Sequence, residues 1–78
     1  MNGINNPLLT SLKKRIGQAI VTKRKELNLD ILMLSDYSKV SPSLISKIEN
    51  GKANVTLETL EKILNVLGLD LIIDVKKR

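Results

Sequence analysis

Apolar residues recur at intervals of three and four along most of the chain, and each break in that rhythm falls at a capping or turn residue. Leu8, Leu9, Leu12, Ile16, Ala19, Ile20 and Leu27 form one stripe at helical period and predict a first helix from Leu8 to Leu27. Gly17 inside it costs about 1 kcal/mol relative to Ala, so it is either a place where another helix comes close or a merely tolerated residue. Asn28 closes this helix, and Asp30 caps a short second one, Ile31–Ser38, with Ile31, Leu34 and Ser35 facing inward. Ser41-Pro42 puts a capping hydroxyl ahead of a first-position proline. Leu44, Ile45 and Ile48 follow, so a third helix runs from Pro42 to about Asn50 and stops at Asn50-Gly51. Thr56 caps a fourth, with Glu58 in its first turn, Leu57, Leu60, Ile63, Leu64 and Leu67 as its buried face, and Gly68 as its stop.

After Gly68 the period shortens. Leu69-Asp70-Leu71-Ile72-Ile73-Asp74-Val75 alternates closer to two and is rich in β-branched residues, which predicts a strand with Leu69, Leu71, Ile73 and Val75 on one face. A lone strand leaves its backbone donors and acceptors unpaired, and no other segment reads as a strand. Pairing with the same strand of a second copy about a two-fold axis resolves this and predicts a homodimer. A strand supplied by another protein, or a fifth helix in place of the strand, are the alternatives. Met1–Pro7, with three Asn, a Gly and a Pro, reads as a flexible arm. The expected organisation is therefore an arm at 1–7, a helical domain at 8–68, and a dimerisation strand with a basic tail at 69–78.

Composition narrows the function. With 78 residues the chain has room for one small core, and with neither Cys nor His it lacks disulfides, thiolate nucleophiles, the usual zinc ligands and His-based proton transfer. The pairs Glu58/Glu61 and Asp70/Asp74 have no His or metal-ligand partner and read as solvated faces, so neither an enzyme, a metal site nor a cofactor is expected. No uncharged apolar run approaches the roughly 18–20 residues of a membrane span, and Met1–Thr10 does not have the form of a secretory leader, which predicts a soluble, cytoplasmic protein. The net charge of +5 is unevenly spread. Residues 1–25 carry six basic side chains and no acid, residues 26–75 carry eight acids against four lysines, and residues 76–78 are all basic. Segregation of this kind suits a phosphate-facing surface, although a solvated basic face has the same composition. One aromatic residue, Tyr37, is too few for stacking on single-stranded bases.

Two short helices joined by Tyr37-Ser38-Lys39-Val40-Ser41 form the pattern of a helix-turn-helix, whose second helix enters the major groove of duplex DNA. If Ile45 and Ile48 point to the core, then Ser43, Leu44, Ser46 and Lys47 project outward. Lys47 can donate to guanine O6/N7 or to a phosphate, Ser43 and Ser46 can bond to bases or phosphates, and Leu44 can touch a thymine methyl. Pro42 has no donor to give but preorganises a helix N-terminus that favours a phosphate.

From Arg24 to Leu71 the chain resembles the Cro/C1-type (XRE) helix-turn-helix family. The likeness is carried by Val40-Ser41-Pro42-Ser43-Leu44-Ile45-Ser46-Lys47-Ile48-Glu49-Asn50-Gly51-Lys52 and by Leu57-Glu58-Thr59-Leu60. It implies a mainly α, lambda-repressor-like four-helix domain, here with one C-terminal β-strand pairing across a dimer, that binds operator DNA. It also implies that Asn50 and Lys52 lie in a backbone-contacting loop, and that Arg24 and Glu49 form a partly buried structural ion pair. Three positions depart from the family's habit: Ile31 stands where Gln is usual, Ser35 where Ala is, and Lys39 where Gly is. Ile31 removes a polar group that anchors relatives to the phosphate backbone, and Lys39 must adopt a turn conformation normally given to Gly. A strand after Leu67-Gly68 resembles the HipB-like antitoxins, which implies an antitoxin repressor of a toxin–antitoxin operon with a HipA-like Ser/Thr kinase as partner. The alternatives are an interaction protein that neutralises its partner while binding DNA weakly, and a stand-alone phage-type repressor.

Overall fold

Every helix of the domain starts at a side-chain oxygen that takes up a free backbone N–H of its own first turn. The computed structural model describes residues 11–74, and in it α1 spans Leu12–Glu26, α2 Ile31–Ser38, α3 Pro42–Glu49 and α4 Leu57–Leu67. Ser11 Oγ accepts from Lys14 N–H at 3.2 Å, Asp30 Oδ1 from Met33 N–H at 2.8 Å, Ser41 Oγ from Leu44 N–H at 3.2 Å and Thr56 Oγ1 from Thr59 N–H at 3.1 Å. Each such bond satisfies one of the donors a helix leaves orphaned, worth about 1 kcal/mol.

The C-terminal ends are also built from backbone chemistry. Asn28, Gly51 and Gly68 take left-handed conformations, with φ of 57°, 71° and 69°. The next amide then reaches back to close each helix: Leu29 N–H to Arg24 O at 3.0 Å, Lys52 N–H to Lys47 O at 2.9 Å, and Leu69 N–H to Leu64 O at 2.9 Å. The end of α2 differs. Lys39 is left-handed at φ 63°, its N–H bonds to Ser35 O at 2.8 Å, and the following Val40 N–H donates to Ser38 Oγ at 3.3 Å. Ser38, the buried polar residue among the described ones, thus substitutes a hydroxyl for the missing carbonyl and lets Val40 turn into the core.

One cluster joins the four helices: Ile20 from α1, Leu34 from α2, Val40 from the turn, Ile45 and Ile48 from α3, Ala53 from the loop, and Leu60, Ile63 and Leu67 from α4. Helices α1 and α2 each pack on both α3 and α4, so α3 is held from two sides. Ile31, where the family tends to carry Gln, is half-buried against this core and trades a polar contact for apolar burial.

Several expectations need correction. The first helix begins at Leu12, because Ser11 is extended (φ −58°, ψ 148°) and caps it; Leu8 and Leu9 lie outside the described residues. The helix ends at Glu26, one residue early, and the third ends at Glu49 with Asn50 as its cap. Leu12 and Leu57 are exposed, Leu57 by 74%. Both occupy the first position of a helix, ahead of the turn where the inward face begins. Ala19 is exposed at a groove beside Leu69, and Leu27 is exposed where the chain leaves α1.

The predicted strand is absent among the described residues: residues 69–74 follow α4 without regular secondary structure. A strand is defined by the ladder it shares, and the described residues of a single copy supply no second strand. Of the alternating face, Leu69 packs against the core, Leu71 is partly exposed, Ile73 is 91% exposed and Val75 lies outside the described residues.

Lys39 holds a left-handed backbone that costs an L-residue with a Cβ roughly 1 kcal/mol or more. Its side chain is exposed and the packing around it would survive its loss. Lys39→Gly is expected to raise stability by about 1 kcal/mol, which in a domain of this size lifts Tm by about 4–8 °C. Thermal unfolding followed by circular dichroism checks this; an unchanged or lower Tm would show that the turn is unstrained.

Candidate nucleic-acid interface

The third helix is eight residues long, too short to persist alone, so its orientation is set by what grips it. Ile45 and Ile48 anchor its inner face in the core. At its C-terminal end Glu49 meets Arg24 of α1 in a two-pronged contact: Arg24 Nε to Glu49 Oε2 at 2.7 Å and Nη2 to Oε1 at 3.1 Å. Nη1 donates to Leu29 O at 2.9 Å, which also ties in the turn leading to α2. The two side chains are only 11% and 7% exposed. Hydrogen bonding to the Glu49 carboxylate raises the Arg24 pKa, against the opposing effect of burial. A raised pKa stabilises the fold fully below the unfolded-state value and loses that contribution only as pH climbs through the folded one, so Arg24 contributes a constant amount at neutral pH.

Gly17 sets the closeness of the same seam. A Cβ built there would lie 2.5 Å from Ile48 O and 2.6 Å from Glu49 O, both backbone atoms. The glycine inside the first helix is therefore required by close approach, and α1 rests directly on the last turn of α3.

With the inner face fixed, the outer face is determined. Ser43 and Lys47 are exposed one turn apart, and Asn50 continues the same row beyond the helix end. Pro42 and Lys52 are exposed at either end. Ser46 is half-buried, and its carbonyl accepts from Asn50 Nδ2 at 2.8 Å, so the Asn50 amide group is partly committed to closing the helix. Leu44 does not stand free as its place in the outward set requires: it is half-buried and packed against the core, because at this position the helix is flanked by neighbouring apolar side chains. The row of Ser43, Lys47 and Asn50 is polar, narrow and carried on a rigid rod, the form that a major groove admits.

Among the described residues no three His, Cys, Asp or Glu side chains gather as a metal site, and no helix is long and apolar enough to cross a membrane. A groove of about 500 Å³ lies between α4 and the C-terminal segment, and none of its lining residues belongs to α3.

The pattern of the helix-turn-helix family matches residues 20–73, well over half of the chain, and the chain belongs to that family, in its Cro/C1 (XRE) type. It resembles the putative cell wall shaping protein YabE of Bacillus subtilis, with 30% identity over 66 residues, covering 85% of this chain and 16% of that protein. It is 34% identical over 59 residues to an uncharacterized HTH-type transcriptional regulator of Haemophilus influenzae, covering 76% of this chain and 60% of that one. The chain thus spans less than two thirds of the length of either curated relative. Among solved structures it resembles the clp gene regulator ClgR from Corynebacterium glutamicum, with a TM-score of 0.73 at 28% identity over 78% of each chain. A second crystal structure of that regulator gives 0.71 at 29% identity, over 76% of this chain and 63% of the other.

The sequence pointed to Arg24 and Glu49 only through resemblance, and gave no sign of the Leu29 carbonyl that completes the Arg24 site. Removing one member of a buried pair strands the other's charge, at a cost of about 3–5 kcal/mol, whereas replacing both with apolar residues is far less costly. Glu49→Ala is accordingly expected to destabilise the domain strongly, and Arg24→Met combined with Glu49→Leu to recover much of that loss. Urea unfolding of the parent, single and double variants measures it; a single variant as stable as the parent would refute the structural role of the pair.

Proposed function

We propose that this chain is a sequence-specific binder of double-stranded DNA that acts as a homodimeric transcriptional repressor. The observation that carries the reading is the polar row of Ser43 and Lys47 on α3 and Asn50 at its cap, opposite Ile45 and Ile48. In this reading Lys47, Ser43 and the half-buried Ser46 contact base edges or phosphates, Pro42 preorganises a helix N-terminus that favours a phosphate, the exposed part of Leu44 touches a thymine methyl, and Asn50 and Lys52 hold the flanking backbone. Two copies related by a two-fold axis would read half-sites about 34 Å apart, one turn of the duplex, or a multiple of that distance.

The dimer is supported by the C-terminal segment. Ile72 and Ile73 are 82% and 91% exposed, side chains whose apolar surface favours a cover at about 25 cal/mol per Å². Pairing of residues 69–75 with the same segment of a second copy would complete the backbone hydrogen bonding and set Ile73 on the face shared with Leu69 and Leu71. A finer reading rests only on the resemblance of the sequence after Leu67-Gly68 to the HipB-like antitoxins: the repressor is the antitoxin of a HipA/HipB-like operon, and a HipA-like kinase is its protein partner. An interaction protein that neutralises its partner with little DNA binding, or a stand-alone phage-type repressor, are the competing readings; co-purification from the native host, followed by operator binding with and without the captured protein, separates them.

Lys47→Ala is expected to weaken binding to a duplex selected from a random pool by roughly 1–3 kcal/mol and to relax the sequence preference at the bases it reads, as measured by mobility-shift titration. Undiminished affinity and preference would refute the assigned readout. Ile73→Asp places a charge on the proposed dimer face, and sedimentation equilibrium is expected to show a monomer where the parent is dimeric. A variant that dimerises as tightly as the parent would remove the C-terminal segment from the interface.

A further inference from the structure

We propose that Lys14, on the first turn of α1, forms with Asn50 and Lys52 a seat for one phosphodiester group of the DNA backbone, beside the C-terminal end of α3. This rests on the reading of the chain as a binder of duplex DNA and adds to it a contact from a helix outside the helix-turn-helix unit.

The seat is produced by the α1–α3 seam. Gly17 lies on the carbonyls of Ile48 and Glu49, and one turn earlier on α1 Lys14 lies on Gly51. A Cβ built on Gly51 would stand 2.7 Å from Lys14 Cγ and 3.1 Å from Lys14 Cα. The methylene stem of Lys14 therefore rests on bare backbone at the turn, with its start fixed by packing, which lowers the entropy cost of holding its ammonium in one place. Gly51 thus answers two demands at once, a left-handed φ of 71° and the absence of a side chain under Lys14.

The turn beneath is itself held. Gly51 N–H donates to Ile48 O at 3.0 Å and Lys52 N–H to Lys47 O at 2.9 Å. Lys14, Asn50 and Lys52 are all exposed around it. The two chain segments that build the seat are poor in acid: residues 1–25 contain none, and between Lys39 and Leu57 the one acidic residue is Glu49, whose carboxylate is held by Arg24. Two lysines and an amide around a rigid turn match a single anionic oxygen pair better than a base edge, because Lys acts as a point charge without the planar fork that reads guanine. The place also fits, since a contact at the end of a groove-bound helix meets the backbone strand that borders the groove.

The experiment compares the parent with Lys14→Gln and with Lys25→Gln, which removes the same charge from the same helix about 16 Å further along at about 1.5 Å per residue. Affinity is measured between 50 and 200 mM salt on a random-sequence 30-base-pair duplex and on the duplex selected for the parent. Lys14→Gln is expected to weaken both duplexes alike and to make the plot of log affinity against log salt shallower by about 0.9, or about 3.5-fold over that salt range, while Lys25→Gln keeps the parent slope. Parental slopes in Lys14→Gln, or equal losses in both variants, would overturn the seat and leave the DNA reading intact. A parent that binds neither duplex would overturn both. Circular dichroism melts of the variants confirm that each remains folded, as the exposure of both lysines predicts.

Discussion

The contact between α1 and the last turn of α3 is the constraint on which the remaining geometry depends. An eight-residue helix has little stability of its own, and its rotation about its axis decides which side chains face outward. Burial of Ile45 and Ile48 selects the inner face. The bidentate Arg24–Glu49 pair then fixes the far end, and Gly17 lets the two backbones come close enough for that pair to form within a nearly closed space. Because Arg24 also binds the Leu29 carbonyl, the same guanidinium joins α1, the entry to α2 and the end of α3. Three elements are thereby set relative to one another by a single side chain, with Arg rather than Lys suited to the task by its fixed fork of donors.

That seam also organises the surface. The basic residues of α1 begin close to the turn after α3, whereas four of the eight acids lie on α4 and in the C-terminal segment, where Glu58, Glu61 and Asp70 line the groove beside Leu57 and Leu71. The two functions proposed for the chain, DNA contact and association with a second polypeptide, then occupy different sides of a very small domain. None of the residues lining the groove beside the C-terminal segment belongs to α3, as the proposed binding of a symmetric operator by a dimer requires.

The departures from the family's habit carry different physical consequences. Ile31 adds apolar contact to the core and gives up a polar group at the start of α2, exchanging a surface contact for packing. Lys39 keeps the tight turn at some conformational cost, and the buried hydroxyl of Ser38 supports it by accepting the Val40 N–H that the turn would otherwise leave unpaired. The turn therefore retains its shape without glycine because a neighbouring side chain completes its hydrogen bonding.

Much of the architecture was legible locally. Asp30, Ser41 and Thr56 mark helix starts, Gly51 and Gly68 mark ends, and the spacing of Ile45 with Ile48 or Leu60 with Ile63 and Leu67 marks inner faces, because caps and periodicity act within one or two turns of chain. Ser11 was the exception: the apolar Leu8 and Leu9 before it suggested an earlier start, and only the cap geometry at Ser11 shows where the helix begins. The sequence also offered Ser43 and Lys47 on the outer face of α3, once its core-facing residues were identified, and Asn50 only through resemblance. What it did not contain was information about separations of tens of residues: that Gly17 lies on the Glu49 carbonyl, that Lys14 lies on Gly51, that Leu44 turns partly inward. Nor did alternation after Gly68 make a strand, since a ladder requires a second strand that the described residues of one copy do not provide. Local chemistry determined the elements, and packing between distant segments decided which of their faces meet, because close approach depends on the joint shape of both partners and neither encodes it alone.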